Sequence, residues 1–324
     1  MEASIDPALF ILLAAGAYVG WNIGANDTAN CIGTTVGAGL LSFPRAVMIV
    51  VIFVILGALL QGQHVMKTIG KGIVQQELDY LAICVALISA GVFVTLATFK
   101  RIPTSTSQAV VGGVVGIGLA VHAPINTAKF WTIAGSWIVC PVMVMGLAYG
   151  LSKFISFILK RITVSILIVQ QIMAWLAILS GGYVAYSMGA NNAGNAVGPI
   201  ASLGIFPPLL LLALGGGAIA GGAITYGRRV AETVGKGITP LDIRGAFVAQ
   251  TASAAGMHLF AVWGIPVSTS SAIVGAVVGV GLVKGARSIS KKTIVVILAG
   301  WVLTPCLAAV TSFSIYHLLS AVVS

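Results

Sequence analysis

Charged side chains are scarce in this sequence. They make up 7% of its 324 residues, and only seven of them are acidic. A soluble globular domain carries about 25% charged residues, so this class is excluded. Hydrophobic residues instead account for 58% of the chain.

Several chemical signatures are missing as well. No G-x-x-x-x-G-K-[ST] loop is present, which argues against a pump driven by nucleotide hydrolysis. The basic residues lie in short loops without interleaved aromatic residues, a pattern that fits contact with anionic lipid rather than nucleic-acid binding. The cysteines form no C-x-x-C pair and are expected to be small buried hydrophobic residues: Cys31, Cys84, Cys140 and Cys306.

Long apolar runs dominate what the sequence does contain. Residues 46–60, 81–97 and 294–302 are continuously apolar and do not alternate with a period of two, and the mean hydropathy of the chain is +1.07. Only helices and closed barrels can span lipid, and the absence of alternation favours helices. The sequence therefore predicts an all-α, multi-pass integral membrane protein, expected in the cell inner (plasma) membrane and in contact with lipid.

One polar motif stands out against this apolar background, and it occurs twice. Residues 24–30 read GANDTAN, and residues 189–195, 165 positions downstream, read GANNAGN. Polar side chains at membrane depth cost a few kcal/mol or more each and mark functional sites by default. The functional site is therefore expected where these two motifs lie.

The order of other features also repeats, at offsets of 163 to 165 positions. This predicts two structural repeats, residues 1–165 and 166–324. We expect the helix over residues 8–42 to be interrupted near Asn26 to Asn30, and interrupted helices in both halves favour inverted over parallel repeats. The matching features are Tyr18 and Tyr183, Phe43-Pro44 and Phe206-Pro207, residues 67–73 and 232–238, Ile102-Pro103 and Ile265-Pro266, and Trp137 and Trp301.

The first motif has the oxygen atoms that a small hard cation needs. Asn26, Asp27 and Asn30 place a carboxylate and two amides beside the free carbonyl groups expected at a helix break. Asp27 is the only acidic residue in either motif. Such a site is suited to sodium.

Two clusters of hydroxyl side chains follow Ile-Pro and precede glycine-rich runs. Hydroxyl groups and the free amides at a helix start suit a tetrahedral oxyanion, and no arginine lies among them, so co-bound cations would help to hold the anion. The alternative is that these hydroxyl groups only bond their own backbone or join neighbouring helices. The clusters are Thr104, Ser105, Thr106 and Ser107, and Ser268, Thr269, Ser270 and Ser271.

The segments GANDTANCIG and GANNAGNAVGP, together with the two P-x-S-T-S-like segments, resemble the paired signature of the inorganic phosphate transporter (PiT) family. The resemblance covers residues 8–320. It implies an inverted-repeat secondary transporter with re-entrant helical hairpins, often a homodimer, that moves phosphate with sodium or protons by alternating access. It implies anion contacts at the eight hydroxyl residues above and sodium contacts at Asn26, Asp27, Asn30, Asn191 and Asn195.

Asn192 departs from the family pattern, because the second motif of the family commonly has Asp at this position. Asn192 still belongs to the cation-binding set, but an amide cannot neutralise a cation, so the second site is expected to be weaker, absent or differently coupled. The pattern is also compatible with the sulfate-carrying branch of the family. The remaining alternatives are an anion channel and an intramembrane enzyme, and the enzyme is disfavoured because no histidine or second acid accompanies the serine clusters. No cofactor is expected beyond the coupling ions.

Overall fold

A computed structural model of the chain describes residues 7–99, 104–161, 165–228, 241–285 and 291–323. Within these ranges the chain is helical and has no strand beyond an isolated bridge between Val74 and Ile125. The predicted all-α class is therefore confirmed. The helices are α1 Pro7–Gly37, α2 Phe43–Gln61, α3 Gln63–Lys67 with a π-helical turn Thr68–Gly72, α4 Tyr80–Phe99, α5 Thr106–Ala120, α6 Thr127–Arg161, α7 Ile166–Ala201, α8 Pro208–Thr225, α9 Ile243–Val262, α10 Thr269–Lys284 and α11 Lys291–Val323.

The helices fit a membrane by length and composition. Within the described part of the chain, seven are long and apolar enough to cross a bilayer. Large apolar side chains such as Trp131, Ile138 and Leu179 face outward, each about two-thirds exposed, at 68%, 68% and 65%. Most polar side chains of the two motifs are buried instead, and the other two, Asn26 and Asn30, are half-buried. This inside-out distribution is what a lipid environment requires.

The expected interruption of the first helix is wrong. α1 is a continuous α-helix of 31 residues through the GANDTAN motif, and α7 runs through the second motif as a continuous helix of 36 residues. Side chains within the motif bond their own helix, as the Thr28 hydroxyl does by donating to the Gly24 carbonyl at 2.5 Å. Because the other polar groups find partners on neighbouring helices, the backbone has no need to unwind.

Two short helices, α5 and α10, begin inside the protein. They have 15 and 16 residues, about 22–24 Å, which is less than the bilayer core of about 30 Å. Ser105 and Ser268, which cap their N-termini, are both 2% exposed. A short helix that starts in the protein interior is the arrangement expected of a re-entrant hairpin. Ile102-Pro103 and residues 232–238, two of the repeated features, lie outside the described residues.

Glycine allows the motif helices to approach their neighbours closely. A Cβ on Gly24 of α1 would collide with the backbone of Ile219 in α8, and a Cβ on Gly189 of α7 would collide with the backbone of Val54 in α2. These are the first glycines of the two motifs, and their partners are also 165 positions apart. The two contacts are therefore the same contact with the halves of the chain exchanged.

Candidate functional site

The two polar motifs meet in the protein interior. The Asn192 side-chain amide of α7 donates to the Asp27 carboxylate of α1, with 3.2 Å between Nδ2 and Oδ2. Asp27 is 3% exposed and Asn192 is 1% exposed. The two motifs therefore lie in one place, on continuous helices rather than at helix breaks.

Asp27 is surrounded by neutral hydrogen-bond donors. Its Oδ1 accepts from the Asn26 amide at 2.9 Å, and its Oδ2 accepts from the Asn192 amide at 3.2 Å. Within the described ranges no lysine or arginine forms an ion pair with Asp27. Hydrogen bonds from amides stabilise a carboxylate but leave its charge in place. A cation at this carboxylate would supply the missing opposite charge.

Asn191 fixes the backbone ahead of α10. Its Nδ2 donates to the Val267 carbonyl at 2.6 Å, and its Oδ1 accepts from the Val267 amide at 3.1 Å. This two-point contact resembles the pairing between neighbouring strands and holds the segment that leads into Ser268. Asn191 was expected as a sodium contact, and here its side chain positions the start of α10.

Ser107 joins the two short helices. Its Oγ lies 2.9 Å from the Val267 carbonyl, accepts from the Asn195 amide at 2.8 Å, and lies 3.2 Å from the Asn192 Oδ1. Ser107 is at the beginning of α5, and Val267 directly precedes the N-cap of α10. The two helix N-termini therefore face the same region beside the motifs. Each N-terminus carries about half a positive charge on unpaired N–H groups, which favours an anion.

Besides Ser107, seven hydroxyl residues were predicted to bind anion, and one of them, Ser271, bonds its own helix, because its Oγ donates to the Ser268 carbonyl at 2.9 Å. The other six divide into three groups. Ser105 and Ser268 act as helix caps and accept from the amides of Gln108 and Ser271 at 3.3 and 3.2 Å. Thr269 and Ser270 contact the motifs, because Thr269 accepts from Asn192 at 2.9 Å and Ser270 accepts from Asn30 at 3.4 Å. Thr104 and Thr106 form the third group, and the hydroxyl group of each is buried without a partner among the described residues.

Gln108 is a candidate site residue that the sequence did not single out. It is 0% exposed, and both polar atoms of its side chain, Oε1 and Nε2, lack a partner in the described part of the chain. The Oδ1 of Asn195 is unpaired in the same way. Buried polar groups are nearly always paired, so a cluster of unpaired groups near two helix N-termini indicates a ligand. A glutamine directly after a serine-threonine run was the available signal.

Together, the fold and the site define a polytopic membrane transport protein with a buried polar centre. Residues 23–312 match the phosphate transporter family. A candidate phosphate permease of Thermococcus kodakarensis is 30% identical over 99% of this chain and 100% of its own length. The chloroplastic inorganic phosphate transporter 2-1 of Arabidopsis thaliana is 27% identical over 91% of this chain and 69% of its own length.

The structure is similar to a solved one described as the sodium-dependent phosphate transporter, with a TM-score of 0.89, 28% sequence identity, and coverage of 97% of this chain and 99% of the other. The chain belongs to the phosphate transporter family. The resemblance of the two motifs to this family is thereby confirmed, as is a multi-pass location in the membrane. Because the family consists of transporters, the chain is not an enzyme, and the intramembrane-enzyme alternative is set aside.

Proposed function

We propose that this protein is a secondary transporter that carries inorganic phosphate across the membrane together with sodium, by alternating access between two inverted repeats, residues 1–165 and 166–324. The observation that carries the proposal is the buried Asp27 carboxylate, which has only neutral partners in the described chain and lies close to two convergent helix N-termini. The same site thus suits a cation at one position and an anion at the next.

The cation follows from the cost of burying a charge. An ion taken out of water costs several kcal/mol unless an opposite charge or a full set of hydrogen bonds compensates it. A sodium ion about 4 Å from the carboxylate would contribute about 4 kcal/mol at an effective dielectric constant of about 20. The Asn26 amide contacts the Asp27 carboxylate, and Asn30, about one helical turn after Asn26, adds a second amide group. The description of the structural neighbour as sodium-dependent supports this choice of ion.

The phosphate follows from the donors on the other side of the site. Thr104, Thr106 and Gln108 have buried polar atoms available, and the N-termini of α5 and α10 add backbone amides. Neutral donors of this kind suit a tetrahedral oxyanion that must be released again. They hold it best while sodium is bound, because the cation removes the repulsion between Asp27 and the anion. Loss of sodium on the other side of the membrane then weakens the hold on phosphate.

The position of the site between the two halves supports alternating access. α1 of the first half and α7 of the second half supply the motifs, and α5 and α10 supply the helix N-termini. Gly24 of the first half packs against α8 of the second half, and Gly189 of the second half packs against α2 of the first half. Rocking of one half against the other would open the site to each side in turn.

The test is uptake of labelled phosphate by proteoliposomes that contain the purified protein. An inward sodium gradient is expected to drive accumulation above the outside concentration, and a proton gradient or a potassium gradient is expected to drive much less. Unlabelled phosphate and arsenate should compete, and sulfate should compete poorly. Saturable sulfate uptake without competition by phosphate would contradict the choice of anion. Uptake that only equalises the concentrations would indicate a channel.

A further inference from the structure

The two motifs differ at the position where the first has its only carboxylate. Asp27 of GANDTAN corresponds to Asn192 of GANNAGN, and the two residues are hydrogen-bonded partners at 3.2 Å. The centre of the site therefore pairs a carboxylate with an amide. A symmetric pair would place two carboxylates in contact, and like charges at such a distance require a cation between them or a shared proton.

The side chain of Asn192 is held in one orientation. Its Oδ1 accepts from the amides of Asn191 and Asn195 at 2.7 and 3.1 Å and lies 3.2 Å from the Ser107 hydroxyl. Its Nδ2 donates to Asp27 and to Thr269. The reversed orientation would place Oδ1 against the carboxylate and the amide hydrogens against two other amides. The hydrogen-bond network therefore fixes the side-chain nitrogen of Asn192, which is a donor, toward the Asp27 carboxylate.

This arrangement leaves the second motif with few ligands for a cation. The Oδ1 of Asn191 accepts from the Val267 amide, and the Oδ1 of Asn192 is surrounded by three donors. Among the side-chain oxygens of the second motif, only the Oδ1 of Asn195 is buried and unpaired within the described residues. A single amide oxygen without a carboxylate is a poor site for sodium, because hard cations bind several oxygen ligands of which some are charged.

We propose that the two motifs of this chain together bind a single coupling cation, at Asp27, and that Asn192 is the residue that sets this number. The amide hydrogen of Asn192 occupies the position beside Asp27 that a second cation would need if residue 192 were acidic. The inference rests on the proposed sodium-coupled transport and adds its stoichiometry. It also predicts that the carrier concentrates phosphate less steeply than one with two carboxylates, because each sodium ion adds its own electrochemical driving force.

The test compares the natural protein with Asn192→Asp in two measurements. The first is equilibrium binding of radioactive sodium to purified protein in detergent, and the second is the sodium dependence of phosphate uptake. The natural protein is expected to bind about one sodium ion at this site and to show a Hill coefficient of about 1 for sodium. Asn192→Asp is expected to bind one additional ion and to raise the Hill coefficient toward about 2.

Gln76→Glu is the matched control, because it makes the same amide-to-acid change at an exposed residue. It should leave both measurements unchanged. The inference would be overturned if the natural protein showed a Hill coefficient of about 2 for sodium. It would also be overturned if the natural protein and a folded Asn192→Asp bound the same amount of sodium. Either result would leave sodium-coupled transport intact. Phosphate uptake that does not depend on sodium would overturn both. If Asn192→Asp does not fold, the measurements on the natural protein decide alone.

Discussion

Asp27 is the residue on which the proposed coupling depends. Replacement of Asp27 by Asn keeps the shape of the side chain and removes the buried negative charge that the proposed sodium ion neutralises. Asp27→Asn is therefore expected to abolish accumulation of phosphate driven by a sodium gradient while the protein still folds. Uptake by proteoliposomes measures the first effect, and thermal unfolding in detergent measures the second.

Glu77→Gln is the control for this change, because Glu77 is an exposed acid in the described chain. It should transport like the natural protein. Sodium dependence that survives in Asp27→Asn would remove Asp27 from the coupling site.

Two buried glutamines allow binding to be separated from folding. Gln108 has an amide without partners among the described residues, whereas the Gln250 amide donates to the Cys31 carbonyl and to Thr34 at 2.8 Å each and accepts from Ser180 at 2.8 Å. Gln108→Leu is expected to weaken phosphate binding about tenfold, through loss of a hydrogen bond to a charged ligand, without loss of stability. Gln250→Leu is expected to lower the free energy of unfolding by about 1–3 kcal/mol, because it leaves buried partners unpaired.

Phosphate binding and thermal unfolding, measured on both variants, distinguish these roles. If Gln108→Leu bound phosphate normally and only changed stability, Gln108 would be a packing residue and the anion would have to lie elsewhere.

Some site residues could be predicted from the sequence and others could not. Asp27 and Asn192 were visible because polar residues in apolar surroundings are rare and these two recur at equivalent positions. Gln250 was not visible, because its partners on α1 and α7 are distant in sequence. Ser105 and Ser107 look alike in sequence, yet one caps its own helix and the other bonds three residues of the second half. Only tertiary contacts separate such roles.

At the scale of the helices, the sequence predicted correctly where the spanning helices lie but not that the first helix is continuous. The apolar runs correctly indicated the spanning helices, since length and hydropathy are local properties. The interruption near Asn26 to Asn30 was wrong because it was inferred from polar and glycine residues alone. In the structure, glycine serves close packing, and polar groups find partners on α7 and α10, so hydrogen bonding along α1 is kept.

Helix packing on α8 provides a paired prediction. A Cβ on Gly222 would collide with the backbone of Trp21 in α1, whereas a Cβ on Gly217 would meet no atom within 4 Å. Gly222→Ala is expected to separate α8 from α1 and to cost about 1–3 kcal/mol of stability. Gly217→Ala is expected to be neutral or to stabilise the helix by up to about 1 kcal/mol.

Thermal unfolding in detergent compares the two variants. Equal stability of Gly222→Ala and the natural protein would show that α1 and α8 are not packed as closely as described. Because α1 carries Asp27, Gly222→Ala should also reduce transport, and Gly217→Ala should not.

At the scale of the whole molecule, the two halves of the chain form one site. Neither half holds the complete site, because Asp27 accepts a hydrogen bond from Asn192 of the second half and Ser107 contacts the Val267 carbonyl of the second half. The sequence indicated two repeats through the order of their features, but the division at residue 165, the inverted relation of the repeats and a homodimer stay predictions. The family match spans residues 23–312 and so includes both halves of the chain.

The central claim is that sodium at a buried carboxylate lets neutral donors hold phosphate. Its most direct test is equilibrium binding of labelled phosphate to the purified protein, with sodium and with an equal concentration of choline. The account predicts that sodium tightens phosphate binding by about tenfold or more, and that phosphate tightens sodium binding by the same factor, because linkage is reciprocal. The same phosphate affinity in sodium and in choline would contradict it.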